Sequence, residues 1–256
     1  MEIVDRKRCV VVVPVYKKLE DYDENERQAF NQIFRTFVSR DIVLVCPHSL
    51  SEYYKDFNRY CLDSRYFTYS GYNELCKSEF FYRMFLDKGY RYMCLVQLDV
   101  WVFQDNLEYF LNQFDERGYD YVGAAWYGVC FTRDGVVGNG GFCIRRLSKF
   151  AEICSRGVGP GNEDTAILLN PKSNLRIAPE RLALEFSWEE KPYFTYRLMH
   201  CKLPMGTHAY ASSPDRIGFW KHFIPNLKEI RCKAGEIDIY NNPEYEKKFK
   251  ECRLEG

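Results

Sequence analysis

Close-set cysteines are missing from this chain. Its eleven cysteines are dispersed, and the nearest two, Cys143 and Cys154, stand eleven residues apart. Zinc ribbons and thioredoxin-like redox sites need pairs of the CxxC kind, so both are excluded. An excess of one charge is missing too. Thirty-six basic side chains face 36 acidic ones, leaving no bulk field to attract a nucleic-acid backbone or an anionic membrane. The longest apolar run, residues 9–16, falls far short of the ~20 residues that cross a bilayer. Glycine is missing where nucleotide folds commonly place it. The turn after the first strand reads Pro14-Val15-Tyr16-Lys17, with neither GxGxxG nor a GxxxxGK phosphate loop. Dehydrogenases, glycine-rich methyltransferases, P-loop enzymes and sugar nucleotidyltransferases all lose support. No internal repeat or low-complexity linker interrupts the chain.

What is present is globular in kind. Of 256 residues, 46% are apolar and 28% charged, the balance of a folded chain rather than a disordered one. That length makes one large α/β domain or two small ones, with about three-quarters of the unfolded surface buried. Aromatics reach 17%, with 20 Tyr and 19 Phe, a load that serves either a core or stacking surfaces. Cys9, Cys46, Cys94 and Cys143 sit inside apolar, strand-like runs, where cysteine behaves as a small hydrophobe. The cysteine count is odd, and the opening MEIVDRKRC turns straight into a strand without a leader pattern. The expectation is a reduced, soluble, cytoplasmic protein.

Residues 9–125 alternate between strand and helix patterns, which predicts a mainly parallel sheet. The run at 9–17 reads as a strand buried on both faces. A helix is predicted over 24–38 from the spacing of Phe30, Ile33, Phe34, Phe37 and Val38. A strand at 41–47, a helix at 52–60, a strand at 65–70 and a helix at 72–88 follow. The strongest strand is 91–103, and Asp105 with Glu108 reads as a capping box for a helix at 106–114. A strand at 120–126 precedes a glycine-rich turn entering a strand at 135–146, a helix at 148–156, and an acidic loop at 159–164 that leads into a helix. Residues 175–225 read as irregular, and 241–256 as a charged, solvated helix.

In open parallel sheets, ligands sit at the carboxyl ends of strands. Asp99 stands there, in the apolar stretch QLDVWVF. A lone carboxylate in such a run is costly to bury unless it is paired or holds a cation; a hydrogen bond to a neighbouring loop is the plain alternative. Gly138-Asn139-Gly140-Gly141-Phe142 lets a backbone approach a ligand with its N–H groups exposed, or simply makes a tight turn. Asn162-Glu163-Asp164 offers a carboxylate to take a proton from a hydroxyl, or one to favour a helix's first turn.

These pieces, with VVVPVYK near the start and PMGTHAY near the end, stand in an order that resembles the GT-A class of nucleotide-sugar glycosyltransferases, in particular a small, little-characterised family within it. Together they cover most of residues 9–222. The resemblance implies a GT-A-like (Rossmann-like) α/β fold, with a mixed, mainly parallel sheet flanked by helices. It implies one domain over 1–256, divided into a nucleotide-binding half (9–125), an acceptor or catalytic half (126–225) and a charged tail (226–256). It also implies a nucleotide-sugar donor (a UDP-sugar by default, a GDP-sugar as the alternative), a glycan or lipid-linked acceptor, and Mn²⁺ or Mg²⁺. Asp99 matches the aspartate of the DxD motif, but Trp101 stands where the second Asp belongs; its indole either stacks on the donor or packs in the core. His208 matches a C-terminal histidine that reaches the metal or the diphosphate, ahead of His222, His48 and His200, and an imidazole ligand leans the site toward Mn²⁺. Asp164 matches the base of inverting members, with Glu163 beside it. Pro14, Val15, Tyr16, Asn73, Lys77, Gly140 and Gly141 are implied donor contacts. Arg145 and Arg146 alternate across their strand, so that one of them would reach the diphosphate. A lipid-linked acceptor would bring the protein to a membrane peripherally. The missing second carboxylate sustains another reading, an inactive module of the same fold that binds nucleotide or glycan.

The cysteine spacing fits neither a metal nor a compact disulfide framework. Thiol titration of the denatured, unreduced protein is expected to find nearly all eleven cysteines free; a count short by several pairs would overturn the reduced assignment.

Overall fold

Four consecutive valines make a strand with two equally apolar faces, and such a strand needs cover on both. The fold supplies it. A computed structural model describes residues 5–228 and 243–254. The first half runs β1 (Cys9–Pro14), α1 (Glu24–Thr36), β2 (Asp41–Pro47), β3 (Arg59–Leu62), α2 (Tyr69–Cys76), α3 (Glu79–Leu86), β4 (Tyr92–Val96), β5 (Val100–Val102) and α4 (Leu107–Arg117). Then come β6 (Tyr121–Val122), β7 (Ala125–Trp126), β8 (Val136–Val137), β9 (Phe142–Arg146), α5 (Leu147–Ser155), α6 (Glu163–Leu168), α7 (Glu180–Phe186), β10 (Ser187–Trp188), α8 (Pro192–Leu198), β11 (Gly206–His208), α9 (Pro214–Trp220) and α10 (Pro243–Leu254). This is an α/β fold. The main sheet has the order β3-β2-β1-β4-β9-β6. Its β3, β2, β1 and β4 are parallel, while β9 runs antiparallel to both neighbours. A three-stranded sheet, β10-β11-β5, stands beside it. All six residues of β1 are buried.

Local chemistry sets the helix starts. Asp23 accepts the Glu26 N–H while the Glu26 side chain accepts the Asp23 N–H, a complete capping box for α1. The box read at Asp105 and Glu108 is only half made. Asp105 accepts the Leu107 N–H at 3.0 Å, but the Glu108 carboxylate turns to Arg8 and the buried Arg40. Two arginines offer a carboxylate more than one backbone N–H does.

Several expected elements come out differently. The helix expected at 52–60 is a run of turns over 52–57, because Tyr54 is drawn inward to donate to the Lys17 carbonyl and the chain then enters β3 at Arg59 against β2. The strand expected at 65–70 is a 3-10 turn (Ser64–Phe67), capped by Asp63, followed by the Thr68 cap of α2. The helix expected at 72–88 is two helices broken at Lys77 and Ser78. The irregular stretch 175–225 holds α7, α8 and α9 with β10 and β11 between them. Nor is the C-terminal helix solvated all round. Tyr245 and Cys252 of α10 are buried, and Phe249 stacks on His222 with ring centroids 3.8 Å apart. Residues 229–242, with Cys232, and 255–256 lie outside the described residues.

The consequential departure is at 91–103. That run is two strands, β4 and β5, which belong to different sheets and part at Gln97-Leu98-Asp99. Val100 N–H returns to the Gln97 carbonyl at 3.2 Å to close the turn. Asp99 therefore sits in a turn, not in mid-strand. Among the described residues no helix is long and apolar enough to cross a membrane.

Candidate functional site

A cleft of about 490 Å³ opens where the carboxyl ends of β1 and β4 meet the loop before β9, the start of α6 and the end of β11. Of the residues singled out by sequence, Pro14, Tyr16, Asn73, Asp99, Gly140, Gly141, Glu163, Asp164 and His208 line it. Val15, Trp101 and Lys77 do not. The Val15 side chain is fully buried, with its N–H on the Val45 carbonyl. Trp101 is a core indole set edge-on to Tyr210, because β5 turns it away from the cleft as it pairs with β11. Lys77 donates to the Gly161 carbonyl at 2.9 Å and pins the loop before α6.

Asp99 and His208 face each other. His208 Nε2 lies 3.4 Å from Asp99 Oδ2, and its Nδ1 lies 3.4 Å from Glu189 Oε1. Neither nitrogen has an aligned hydrogen-bond partner, although both are buried. Burial opposes a charged imidazole, but the Asp99 and Glu189 carboxylates outweigh it and push the His208 pKa up to about 10. Burial likewise opposes ionising Asp99, yet the imidazole holds its carboxyl below the usual range. Half of the Asp99 side chain remains open to solvent at 50% exposure.

The acidic turn is fixed from behind. Glu163 and Arg145 form an ion pair at 2.8 Å, with side chains 6% and 1% exposed. Arg145 also donates to the Tyr82 hydroxyl at 2.8 Å, and its guanidinium lies over the Phe150 ring. Neither arginine of the pair in β9 reaches the cleft, since Arg146 is spent on Asp120 and on the carbonyls of Phe114 and Tyr119. Burial raises the Glu163 pKa, and Arg145 opposes that rise. Asn73 reaches across to accept the Glu163 N–H at 2.7 Å while donating to the Tyr69 carbonyl; it serves α6 as a cap. Tyr69 ties the same turn from its exposed rim position, its hydroxyl 2.8 Å from Asn162 Oδ1. Asp164 projects into the cleft and accepts the Thr165 N–H at 2.7 Å.

The glycines expected to admit a ligand make room for the protein's own side chains. A Cβ on Gly140 would run into the Glu163 carboxylate, and one on Gly141 into the His208 ring. Sequence reasoning passed over Glu189, Glu26, Tyr72 and Gln97. Glu189 had a local signal, because the run SWEE places two acids directly after a tryptophan. Among the described residues no Lys or Arg lines the cleft, and Glu26, Asp99 and Asp164 give it a negative lining.

Breaking a buried ion pair from one side leaves an uncompensated charge, which costs about 3–5 kcal/mol. Arg145→Met is expected to destabilise by that amount in urea unfolding, and Arg145→Met with Glu163→Gln by clearly less. Equal losses in the single and double variants would show that the two side chains are not coupled.

None of the curated proteins matches the sequence. Among solved structures, the chain is similar to A197 from STIV at 15% identity, over 66% of this chain and 80% of that one, with a TM-score of 0.39. It is also similar to a glycosyltransferase involved in the glycosylation of the major capsid of PBCV-1, at 12% identity over 80% of this chain and 94% of that one, with a TM-score of 0.46. Residues 56–208 match the profile of a family described as a protein of unknown function, DUF5672. That match spans more than half of the chain, and the chain belongs to this family.

Proposed function

We propose that the protein is a glycosyltransferase that moves a sugar from a nucleotide-sugar donor, a UDP-sugar by default, to a hydroxyl of a glycan or lipid-linked acceptor. The observation that carries the reading is the composition of one cleft. It joins Asp99, the glycine loop, Asp164 and His208, yet has no Lys or Arg in its lining. A diphosphate placed among those carboxylates would be repelled unless a cation came with it.

The residues present fit such a cation. Asp99 Oδ2 and His208 Nε2 are 3.4 Å apart, close to the roughly 3 Å that separates adjacent ligands around a small divalent ion. His208 Nε2 is buried without an aligned partner. Among the described residues no group of three His, Cys, Asp or Glu could hold a metal, so Asp99 and His208 would share the ion with the donor's phosphates and water. When bound, Mn²⁺ or Mg²⁺ would offset the charge that builds on the departing nucleoside diphosphate. An imidazole in the pair favours Mn²⁺.

Asp164 is the base in this reading, since Glu163 is engaged by Arg145. Its carboxylate accepts the proton of the acceptor hydroxyl as that oxygen attacks the anomeric carbon, on the face opposite the leaving diphosphate, which gives inversion. Pro14 and Tyr16 line the cleft by the end of β1, where this reading seats the donor. A glycan-binding module without activity is the second reading. It is favoured by the same lack of Lys and Arg among the described lining residues and by the exposed rings of Tyr16 and Tyr69, which suit a neutral sugar.

Thermal shift with UDP or GDP, with and without Mn²⁺, tests the donor site. Stabilisation is expected when nucleotide and Mn²⁺ are both present, and Asp99→Asn or a chelator should abolish it. Nucleotide affinity indifferent to both would end the cation-bridged reading. Asp164→Asn is expected to bind nucleotide as wild type does while sugar transfer, or slow hydrolysis of the sugar nucleotide, falls at least ~100-fold. Wild-type rates in that variant would remove Asp164 as the base. Absence of any turnover in a wild-type protein that binds glycan would favour the inactive module.

A further inference from the structure

His208 has two ring nitrogens, and only one of them faces the cleft. A neutral imidazole can present a lone pair at Nε2 only if its proton stays on Nδ1. What lies behind Nδ1 therefore decides whether His208 can act as a ligand. We infer that Glu189 is a positioning residue that keeps this proton on His208 Nδ1 and so turns the Nε2 lone pair toward Asp99. The inference rests on the reading of Asp99 and His208 as the cation pair and adds a residue that the sequence motifs did not include.

The placement of Glu189 is built into the sheet. β10 and β11 are parallel, with Ser187 opposite Gly206 and Trp188 opposite Thr207. The next step of that register sets Glu189 beside His208. Thr207 Oγ1 donates to the Trp188 carbonyl at 2.9 Å and clamps the two strands just before the pair. Glu189 Oε1 then lies 3.4 Å from His208 Nδ1, and its side chain is 14% exposed.

The other carboxylate oxygen is held as well. Asn139 Nδ2 donates to Glu189 Oε2, while Asn139 Oδ1 accepts the Gly141 N–H at 2.9 Å. Asn139 takes up a left-handed conformation to do this (φ 65°), which Asn tolerates better than most residues. Arg216 is 4.0 Å from Glu189 Oε1 and bonds Glu190 more closely. The carboxylate thus has one oxygen fixed by the glycine loop and one left for the imidazole. A carboxylate behind a ligating histidine orients the ring and strengthens the donor nitrogen, and losing it typically costs about 10–100-fold in metal affinity.

The test measures Mn²⁺ binding by electron paramagnetic resonance, with UDP present, in the intact protein. Glu189→Ala is expected to weaken Mn²⁺ binding about 10–100-fold, whereas Glu190→Gln, next in the chain and bonded to Arg216, leaves it unchanged. Glu189→Gln is nearly isosteric and keeps the fold, but its amide N–H₂ meets either Asn139 Nδ2 or His208 Nδ1, so it too should bind weakly. Adding Asn139→Asp gives the new amide N–H₂ a carboxylate to donate to and leaves the amide oxygen for the His208 Nδ1 proton at unchanged net charge, and most of the affinity should return. Nitrogen-15 spectra of labelled histidine, with Mg²⁺ and UDP, should show His208 protonated at Nδ1 in wild type and in the double variant. Wild-type Mn²⁺ affinity and unchanged histidine spectra in Glu189→Ala and Glu189→Gln would overturn the inference and leave the cation pair standing. Failure of the wild-type protein to bind Mn²⁺ at all would overturn both.

Discussion

The site depends on one buried charge pair. Arg145 comes from the antiparallel strand β9 and Glu163 from the first turn of α6, and they meet in the interior at 2.8 Å. Around them burial holds the thiols of Cys76 and Cys143 and the hydroxyls of Tyr72 and Tyr82 in their neutral forms, all with raised pKa. Surroundings of this kind make a charged pair expensive to desolvate, so such a pair adds little net stability. Its effect is placement. Glu163 is held from inside, while Asp164, beside it in the first turn of α6, lines the cleft. The glycine at 140 follows from the same contact, because any side chain there would meet the Glu163 carboxylate.

A second constraint is the division of one apolar run between two sheets. Gln97, Leu98 and Asp99 form the corner where the main sheet ends and the smaller one begins. Gln97 N–H is held by the Gly141 carbonyl at 3.0 Å, which locks the corner to the glycine loop. A cleft at a corner of this sort draws its walls from both sheets. Asp99 comes from the corner itself, and His208 comes from the strand that pairs with β5.

Much of the scaffold was legible in the sequence, for physical reasons that also mark where legibility ends. The valine run of β1 and the strand at 41–47 could be read because strands buried on both faces are continuous in apolar residues, and the second has the expected bounds. The break at 97–99 could not, because a run looks the same whether it enters one sheet or two. Alternation gave the opposite faces of Arg145 and Arg146 but not the depth behind each face, so a diphosphate ligand was expected where an internal ion pair stands. Asn73 and Lys77 read as donor contacts, yet their hydrogen bonds go to backbone groups of the acidic turn. The pairing of Glu189 with His208 is hidden in the sequence, because strand register alone brings the two together.

The pairing of β5 with β11 also sets an order of events in the making of the chain. Among the described residues the smaller sheet gives β5 only β11 as a neighbour; β5 ends at Val102, and its partner begins at Gly206. At about 5–20 residues per second, the ribosome needs roughly 5–20 s to cover that interval. Through that time the nascent chain carries a Val-Trp-Val segment with an open edge, the kind of surface that chaperones shield. Asp99 and His208 come face to face only when that edge closes. A chain truncated before residue 206 would therefore keep the strands of the main sheet, yet lack the site and carry a segment prone to self-association.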